Sequence, residues 1–394
     1  HIRAFAEAAP AASGIIHLGA TSAFVGDNAD IILFREALLL VKRRLVNLLD
    51  ALSRFAGKTK SIPTLSYTHF QPAQPTTVGK RACMWLGDLM LDYEELEFAI
   101  SSMRMRGAKG ATGTQASFLE LFGGDEEKVA ALNRKIVSEM GFEQDFPLTS
   151  QTYPRKLDAR ILNCLSSIAQ SLHKFATDMR LLQSLKELEE PFQKSQVGSS
   201  AMPYKRNPMK AERICSLARL VISLSLNPQM TDSVQWLERT LDDSANRRIS
   251  MPEAFLATDA ILSLAFEISS GIEVNEKVIA SNLARELPFM AEENILMRAV
   301  SKGGNRQALH ERLRTHSLTA ARAIKKEGAP NPLISLIAAD GEFMLSEAEI
   351  VEELDGSRYV GRAPSLAEEY LSGPVKKVLD ENRALLGAGH ESEV

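Results

Sequence analysis

Apolar residues recur every three or four positions over long stretches of this chain, the spacing of one face of an α-helix. From Ala29 to Ala56 the series Ile31, Phe34, Leu38, Val41, Leu45, Leu49 and Leu52 keeps that period. Asp27 or Asn28 stands just before it, where an N-cap belongs. A polar turn with Pro63, Pro72 and Pro75 follows, and then a second periodic segment from Thr76 to Arg106. The next lies between Pro154, suited to a first helical turn, and Pro191, which stops a helix; at 1.5 Å per residue it makes a rod of roughly 50 Å. Pro208 opens a helix running to about Asn227, and another extends from about Ser233 to Ile272, bent near Pro252. Alternating β-branched runs are nearly absent, and no Asn-Gly or Asp-Gly pair marks a hairpin. The pattern predicts an all-α protein built as a bundle of long helices over 22–273. From about Val274 the helical periods shorten and turn residues multiply, which predicts a smaller C-terminal helical domain over 274–394.

Composition narrows the function classes. The chain has 394 residues, enough for a large core, with 45% hydrophobic and 24% charged residues, the balance of an ordinary globular protein. A net charge of −4 gives no basic field for nucleic acid or an acidic membrane, so an anionic ligand must be held by local Lys and Arg. Cys83, Cys164 and Cys215 are far apart in apolar helical patterns and read as small buried hydrophobes in a reducing compartment. No apolar run has the length of a membrane span, and the alanine-rich start lacks the apolar core of a signal peptide. A cytoplasmic protein is expected.

Three polar loops stand out between the helices, where a rigid scaffold places chemistry. The first, Ile16 to Asn28, offers the Thr21 and Ser22 hydroxyls and free amides near Gly19, groups that suit a carboxylate or phosphate. Taken alone it fits a helix-capping turn better. The second, Ser66 to Arg81, carries His69 between Thr68 and Phe70. A histidine can exchange a proton near neutral pH, although a lone loop histidine is more often satisfied by backbone groups. The third, Val197 to Arg213, reads VGSSAMPYKRNPMKAER. A serine becomes a base only when cations and amide donors stabilise its oxyanion, and Lys205 with the loop amides could supply both. The Gly107–Gln115 run has neither spacing of a nucleotide-binding glycine loop, HExxH is absent, and no His/Asp/Glu cluster has metal-ligand spacing.

The string GSSAMPYKRNP, Gly198 to Pro208, resembles the signature of the fumarase/aspartase superfamily, whose members eliminate fumarate from succinyl-bearing substrates. IIHLGATSAFVGDNADI, YTHFQPAQPTTVGKR, KGATGTQASF, GSSAMPYKRNPMKAER and VQWLERTLDDSANRR narrow the resemblance to the adenylosuccinate lyase family. The resemblance implies an all-α homotetramer whose active sites are shared between subunits, a succinylated purine nucleotide as small-molecule substrate, and no metal or organic cofactor. Neither nucleic acid nor membrane is an expected partner. It implies Ser199 as the base, with the choice between Ser199 and Ser200 open, and His69 as the acid that protonates the leaving nitrogen. Lys205 and Asn207 would hold carboxylates. Thr21, Ser22, Thr68, Gln151 and Ser200 would line the substrate, and Arg213, Arg239, Ser244 and Arg248 would contact the nucleotide, chiefly its phosphate, which suits the two-pronged guanidinium.

The same resemblance implies a preceding helical domain with a His-Asp pair near the substrate and nucleotide-binding Arg and Tyr residues. The chain starts at His1, so it reads as N-terminally incomplete, with 1–21 a remnant of that domain, and His1 takes no catalytic role. Two other readings are an argininosuccinate-cleaving member of the superfamily and a non-catalytic structural protein on the same fold.

Overall fold

The computed structural model describes residues 2–192, 202 and 204–387. Five long helices form the core: α2 Ser22–Thr59, α3 Val78–Ser101, α6 Lys156–Ser184, α7 Met209–Leu224 and α9 Asp243–Gly271. The α-helices before and between them are α1 Ile2–Ala8, α4 Ala116–Leu121, α5 Glu126–Glu139 and α8 Leu226–Ser233. Helix α2 packs on α3 and α9, and α6 packs on α3, α7 and α9. The apolar period of the sequence is the reason. Ile31, Leu38, Val41, Leu45, Leu49 and Leu52 of α2 are buried, and so are Leu165, Ile168, Leu172, Phe175 and Met179 of α6, all in one continuous apolar cluster.

Side-chain bonds fix the directions. Trp85 near the start of α3 donates to Asp178 near the end of α6 (2.7 Å), and Arg160 near the start of α6 lies over Phe98 near the end of α3. Gln229 of α8 donates to Asn163 (2.9 Å), and Lys210 at the start of α7 pairs with Glu267 near the end of α9. Thus α2, α6 and α9 run one way and α3 and α7 the other. One end of the bundle carries the N-termini of α2, α6 and α9; the opposite end carries their C-termini.

Several boundaries depart from the sequence pattern. Helix α2 starts at Ser22, with Thr21 as an extended N-cap whose side chain makes no capping bond. Asp27 and Asn28 are therefore buried interior positions, bonded to other segments, and cap nothing. Helix α6 ends at Ser184, well before Pro191, because Lys186 turns at φ 60° and Leu188–Glu189 (β3) pairs with Glu273–Val274 (β4). Its 29 residues span about 44 Å. Residues 234–242 form a loop instead of the start of α9, with Leu237 at φ 51°. Helix α9 contains Pro252. Contrary to the sequence reading, an 18-residue window of α9 has the mean hydropathy of a membrane span, 1.3. Its apolar residues Ile261, Leu262, Ala265 and Ile268 are buried in the bundle.

A hairpin replaces the expected polar turn. Strands β1 Pro63–Thr68 and β2 Gln71–Thr77 pair antiparallel, joined by His69 (φ 53°) and Phe70 (φ 57°). Two central residues at positive φ are the signature of the tight turns that match strand twist. Pro72 and Pro75 are tolerated because a two-stranded ribbon has only edges. Leu65 of β1 packs on Leu283 and Leu287 of α10, Glu276–Met290. Beyond α10, Ile295, Leu309, Leu313, Ile337, Phe343 and Ile350 form a second apolar cluster. The last helices return to the bundle: Val375 and Val378 join its core, and Asn382 donates to Tyr93 Oη (2.7 Å).

Buried charge pins three helices together at their N-terminal end. Arg247 of α9 donates to Asp158 of α6, to the Tyr153 hydroxyl and to Asp30 of α2 (3.0 Å), and Tyr153 Oη donates to Asp158 (2.6 Å). Asp158 is fully buried. We expect Arg247→Met to cost about 3–5 kcal/mol, because it strands a buried carboxylate; denaturant unfolding at fixed protein concentration checks this, and a loss below about 1 kcal/mol would show that the pair holds nothing. A second expectation concerns Gly79, where a Cβ would stand 2.3 Å from the Ala56 carbonyl oxygen and 2.5 Å from Lys60 N. Ordinary helical Gly→Ala changes stabilise by about 1 kcal/mol. Gly79→Ala should instead destabilise by about 1–3 kcal/mol through overpacking, read as a lower Tm.

Candidate functional site

At the N-terminal end of α2, α6 and α9 two irregular segments interlock. Gly107, Gly110 and Gly113 all adopt positive φ, and a Cβ on Gly113 would lie 1.9 Å from the Thr149 carbonyl oxygen, so only glycine fits there. The fully buried Arg106 holds the segments together. It donates to the carbonyls of Gln151 (2.8 Å), Gly107 (3.0 Å) and Gly110 (2.7 Å), and burial lowers its pKa. Asn28 accepts from Gly107 N (2.9 Å) and donates to the Gly107 carbonyl, and Lys109 pairs with Asp145.

Six of the sequence-derived substrate residues gather here. Thr21 and Ser22 open α2. Gln151 donates to the Ala111 carbonyl (3.0 Å), and its amide donates to Glu238 O (3.2 Å), which places it beside Arg239. Arg239 donates to Asp243 (2.8 Å). Ser244 is half-buried in the first turn of α9, and Arg248 points to solvent with no ion pair among the described residues. Its neighbour Arg247 takes the buried position. Beneath them Asp27 accepts from Tyr153 N (2.8 Å) and Arg155 Nη2 (3.1 Å), while Arg155 Nε donates to Asp243 (2.7 Å). Burial pushes the Asp27 carboxyl up, against the pull of Arg155. Sequence reasoning missed Asp27, Arg155, Asp243 and Arg247 as parts of the site's support; the VGDNAD, TYPRK and LDDSANRR strings held them, but nothing in the spacing said which charges face inward.

The other candidates sit at the opposite end. Thr68 and His69 occupy the exposed hairpin tip. Lys205 and Asn207 are exposed and line a cleft of about 470 Å³ with Thr177, Arg180 and Glu212. Arg213 is exposed near the start of α7. Arg206, between Lys205 and Asn207, is structural: it pairs with Glu189 (3.1 Å) and Glu273 (2.9 Å) across β3 and β4. Glu190 accepts from Lys210 N (3.1 Å) and Ala211 N (2.6 Å), which caps α7 and fixes the exit of the signature loop. Ser199 and Ser200 lie outside the described residues.

One chain therefore presents its candidate residues in two groups, two candidate half-sites. Thr21, Ser22, Gln151, Arg239, Ser244 and Arg248 are at one end of α6, and Thr68, His69, Lys205, Asn207 and Arg213 are at the other, about 44 Å away. The first end supplies hydroxyls, an amide and guanidinium groups, chemistry for carboxylate and phosphate. The second supplies an imidazole, an ammonium and an amide, chemistry for proton transfer and carbanion stabilisation. Among the described residues no three His, Cys, Asp or Glu side chains are grouped to hold a metal ion. The cysteines are free, and burial raises Cys83 to about 11 and Cys164 to about 12, which leaves those thiols protonated and inert.

Comparison with known proteins agrees with this chemistry. The family described as Lyase matches residues 3–223, and the family described as Adenylosuccinate lyase C-terminus matches residues 288–370. The chain is 52% identical to the adenylosuccinate lyase of Saccharomyces cerevisiae, over 96% of this chain and 79% of that protein. It is 49% identical to that of Schizosaccharomyces pombe, over 98% and 80%, and 50% identical to that of Schistosoma mansoni, over 95% and 78%. Among solved structures it superposes on a 3-carboxy-cis,cis-muconate lactonizing enzyme from Pseudomonas putida with TM-score 0.80 at 23% identity, over 95% of this chain and 80% of that one. A fumarate lyase from Mesorhizobium sp. BNC1 gives 0.78 at 23% identity, over 94% and 81%; these two establish the fold. With relatives so similar over nearly all its length, the chain belongs to the adenylosuccinate lyase family of the fumarase/aspartase superfamily.

Proposed function

We propose that this protein eliminates fumarate from adenylosuccinate, giving AMP, and from succinyl-aminoimidazole carboxamide ribotide, giving the carboxamide ribotide, in purine nucleotide biosynthesis. Its family membership supports the reaction, and the curated relatives at 49–52% identity are all adenylosuccinate lyases. An argininosuccinate-cleaving role has no use for a cluster of arginines at a phosphate.

The residues take roles that follow from the chemistry. Ser199, as its oxyanion, removes the proton from the carbon next to a succinyl carboxylate. The resulting charge spreads into that carboxylate, and Lys205 and Asn207 stabilise it where it develops. The carbon–nitrogen bond then breaks, and His69 gives its proton to the leaving nitrogen. Thr21, Ser22, Thr68, Gln151 and Ser200 hold the succinyl portion. Arg213, Arg239, Ser244 and Arg248 hold the nucleotide.

The observation that carries the arrangement is the separation of the half-sites. A substrate spanning a nucleotide and a succinyl group cannot reach both ends of α6 in one chain. Each working site must join the first end of one chain to the second end of another, and a homotetramer meets that need. The bundle's exposed apolar residues, among them Leu39, Leu40, Leu91, Phe98 and Leu256, provide faces for such contacts. The cytoplasm is the compartment that suits the free cysteines and the small soluble substrates.

Two experiments test this reading. His69→Ala and Ser199→Ala should each lower kcat by about 10³-fold, within the usual range for a lost general acid or base, with the oligomer intact by sedimentation; near-normal turnover in either removes that residue from the mechanism. His69→Ala and Arg248→Glu lie at opposite ends of the bundle, and each alone should be nearly inactive. Refolded together in equal amounts they should regain roughly a quarter of normal activity, since random assembly leaves that share of sites with both parts intact. Failure to regain activity would mean that each site is built within one chain.

A further inference from the structure

Four charges of alternating sign run in line under the first half-site. Asp27 on α2 is bonded to Arg155, Arg155 to Asp243 at the start of α9, and Asp243 to Arg239 in the loop before it. The inner three are almost wholly buried: the side chains of Asp27, Arg155 and Asp243 are 7%, 2% and 0% exposed, whereas that of Arg239 is 23% exposed. The two Asp243 oxygens are divided, Oδ2 accepting from Arg155 Nε (2.7 Å) and Oδ1 from Arg239 Nη1 (2.8 Å). Charge-assisted bonds away from water are short and strongly directional. Arg239 makes no other hydrogen bond among the described residues, and its loop lacks regular structure, so Asp243 alone fixes where the guanidinium points.

We propose that Asp243, oriented by Arg155 and Asp27, is a positioning residue that presents Arg239 to the substrate's phosphate. This rests on the reading of Arg239 as a phosphate contact. The same line of charges ties Arg239 to the first turns of α2, where Thr21 and Ser22 stand. It sets the spacing between the group that reads the nucleotide and the groups that hold the succinyl carboxylate. An arginine left to choose among rotamers must be ordered at the moment of binding, whereas one held by a buried carboxylate is ordered beforehand.

Asp243→Asn keeps the shape and removes the charge. In the full-length oligomer the inhibition constant of AMP should rise about tenfold, and KM for adenylosuccinate with it, while kcat changes by less than about twofold. The inhibition constant of fumarate, the product without a phosphate, should stay unchanged. Arg239→Met should weaken AMP alone in the same way, and adding Asp243→Asn to it should weaken AMP no further, because the two act as one unit. Equal weakening of AMP and fumarate, or a full Asp243→Asn effect on top of Arg239→Met, would overturn the proposal and leave Asp243 a structural residue. An Arg239→Met protein with normal AMP inhibition would instead overturn the phosphate reading of Arg239. If Asp243→Asn does not fold, Arg155→Lys provides the same comparison, since it retains the charge but cannot bridge Asp27 and Asp243; unchanged AMP inhibition in that variant also overturns the proposal.

Discussion

The continuous apolar face of α6 is the constraint on which the rest of the structure depends. Leu165, Ile168, Leu172, Phe175 and Met179 are all at most 1% exposed, and the helix is packed on α3, α7 and α9 at once. At about 25 cal/mol per Å² of apolar surface removed from water, such a face is held by many small increments along its length. Its length of about 44 Å keeps the loop at its start away from the loop at its end. Each loop can be chemically equipped at its own end of the bundle.

The two ends are built differently for physical reasons. At the first end, Arg106, Arg155, Asp158 and Arg247 are buried, and each makes hydrogen bonds, as desolvation requires. Arg106 spends its donors on three carbonyls, Arg247 on two carboxylates and a phenol, and Arg155 on two carboxylates. This makes a hydrogen-bonded floor under Thr21, Ser22, Gln151 and Arg239. At the second end Lys205, Asn207, His69 and Arg213 are exposed, and the ion pairs of Arg206 and the carboxylate cap from Glu190 fix the chain just beside them.

The long helices were legible in the sequence because their apolar period is uninterrupted, and Pro208 stands at the N-cap of α7, next to the start read from the sequence. The start of α2 was not, since Gly26, Asp27 and Asn28 have the composition of a turn. Their bonds to Tyr153, Arg155 and Gly107 override that preference, and such long-range partners leave no local trace. The hairpin was hidden because His69 and Phe70 occupy positions where Asn-Gly is the usual signal. Arg247 and Arg248 are the same residue type side by side; only the facing of α9 makes one a buried strut and the other a surface charge. The candidate site residues came from matched motifs, and their division between two ends came from the helix directions, which a sequence does not state.

The hairpin tip follows from the same geometry. Positive φ at a histidine and at a bulky phenylalanine is strained, at about 1–2 kcal/mol per residue. Such strain persists only where surrounding structure enforces it. Here the enforcing contacts are the β1–β2 ladder, the Leu65 packing on α10 and the Tyr67–Phe70 ring contact at 5.8 Å. They hold Thr68 and His69 away from their own bundle and from the first half-site, which lies beyond the far end of α6. A histidine required only to satisfy a loop would need no such support. The cost of the tight turn is the cost of presenting an imidazole on an exposed, supported tip.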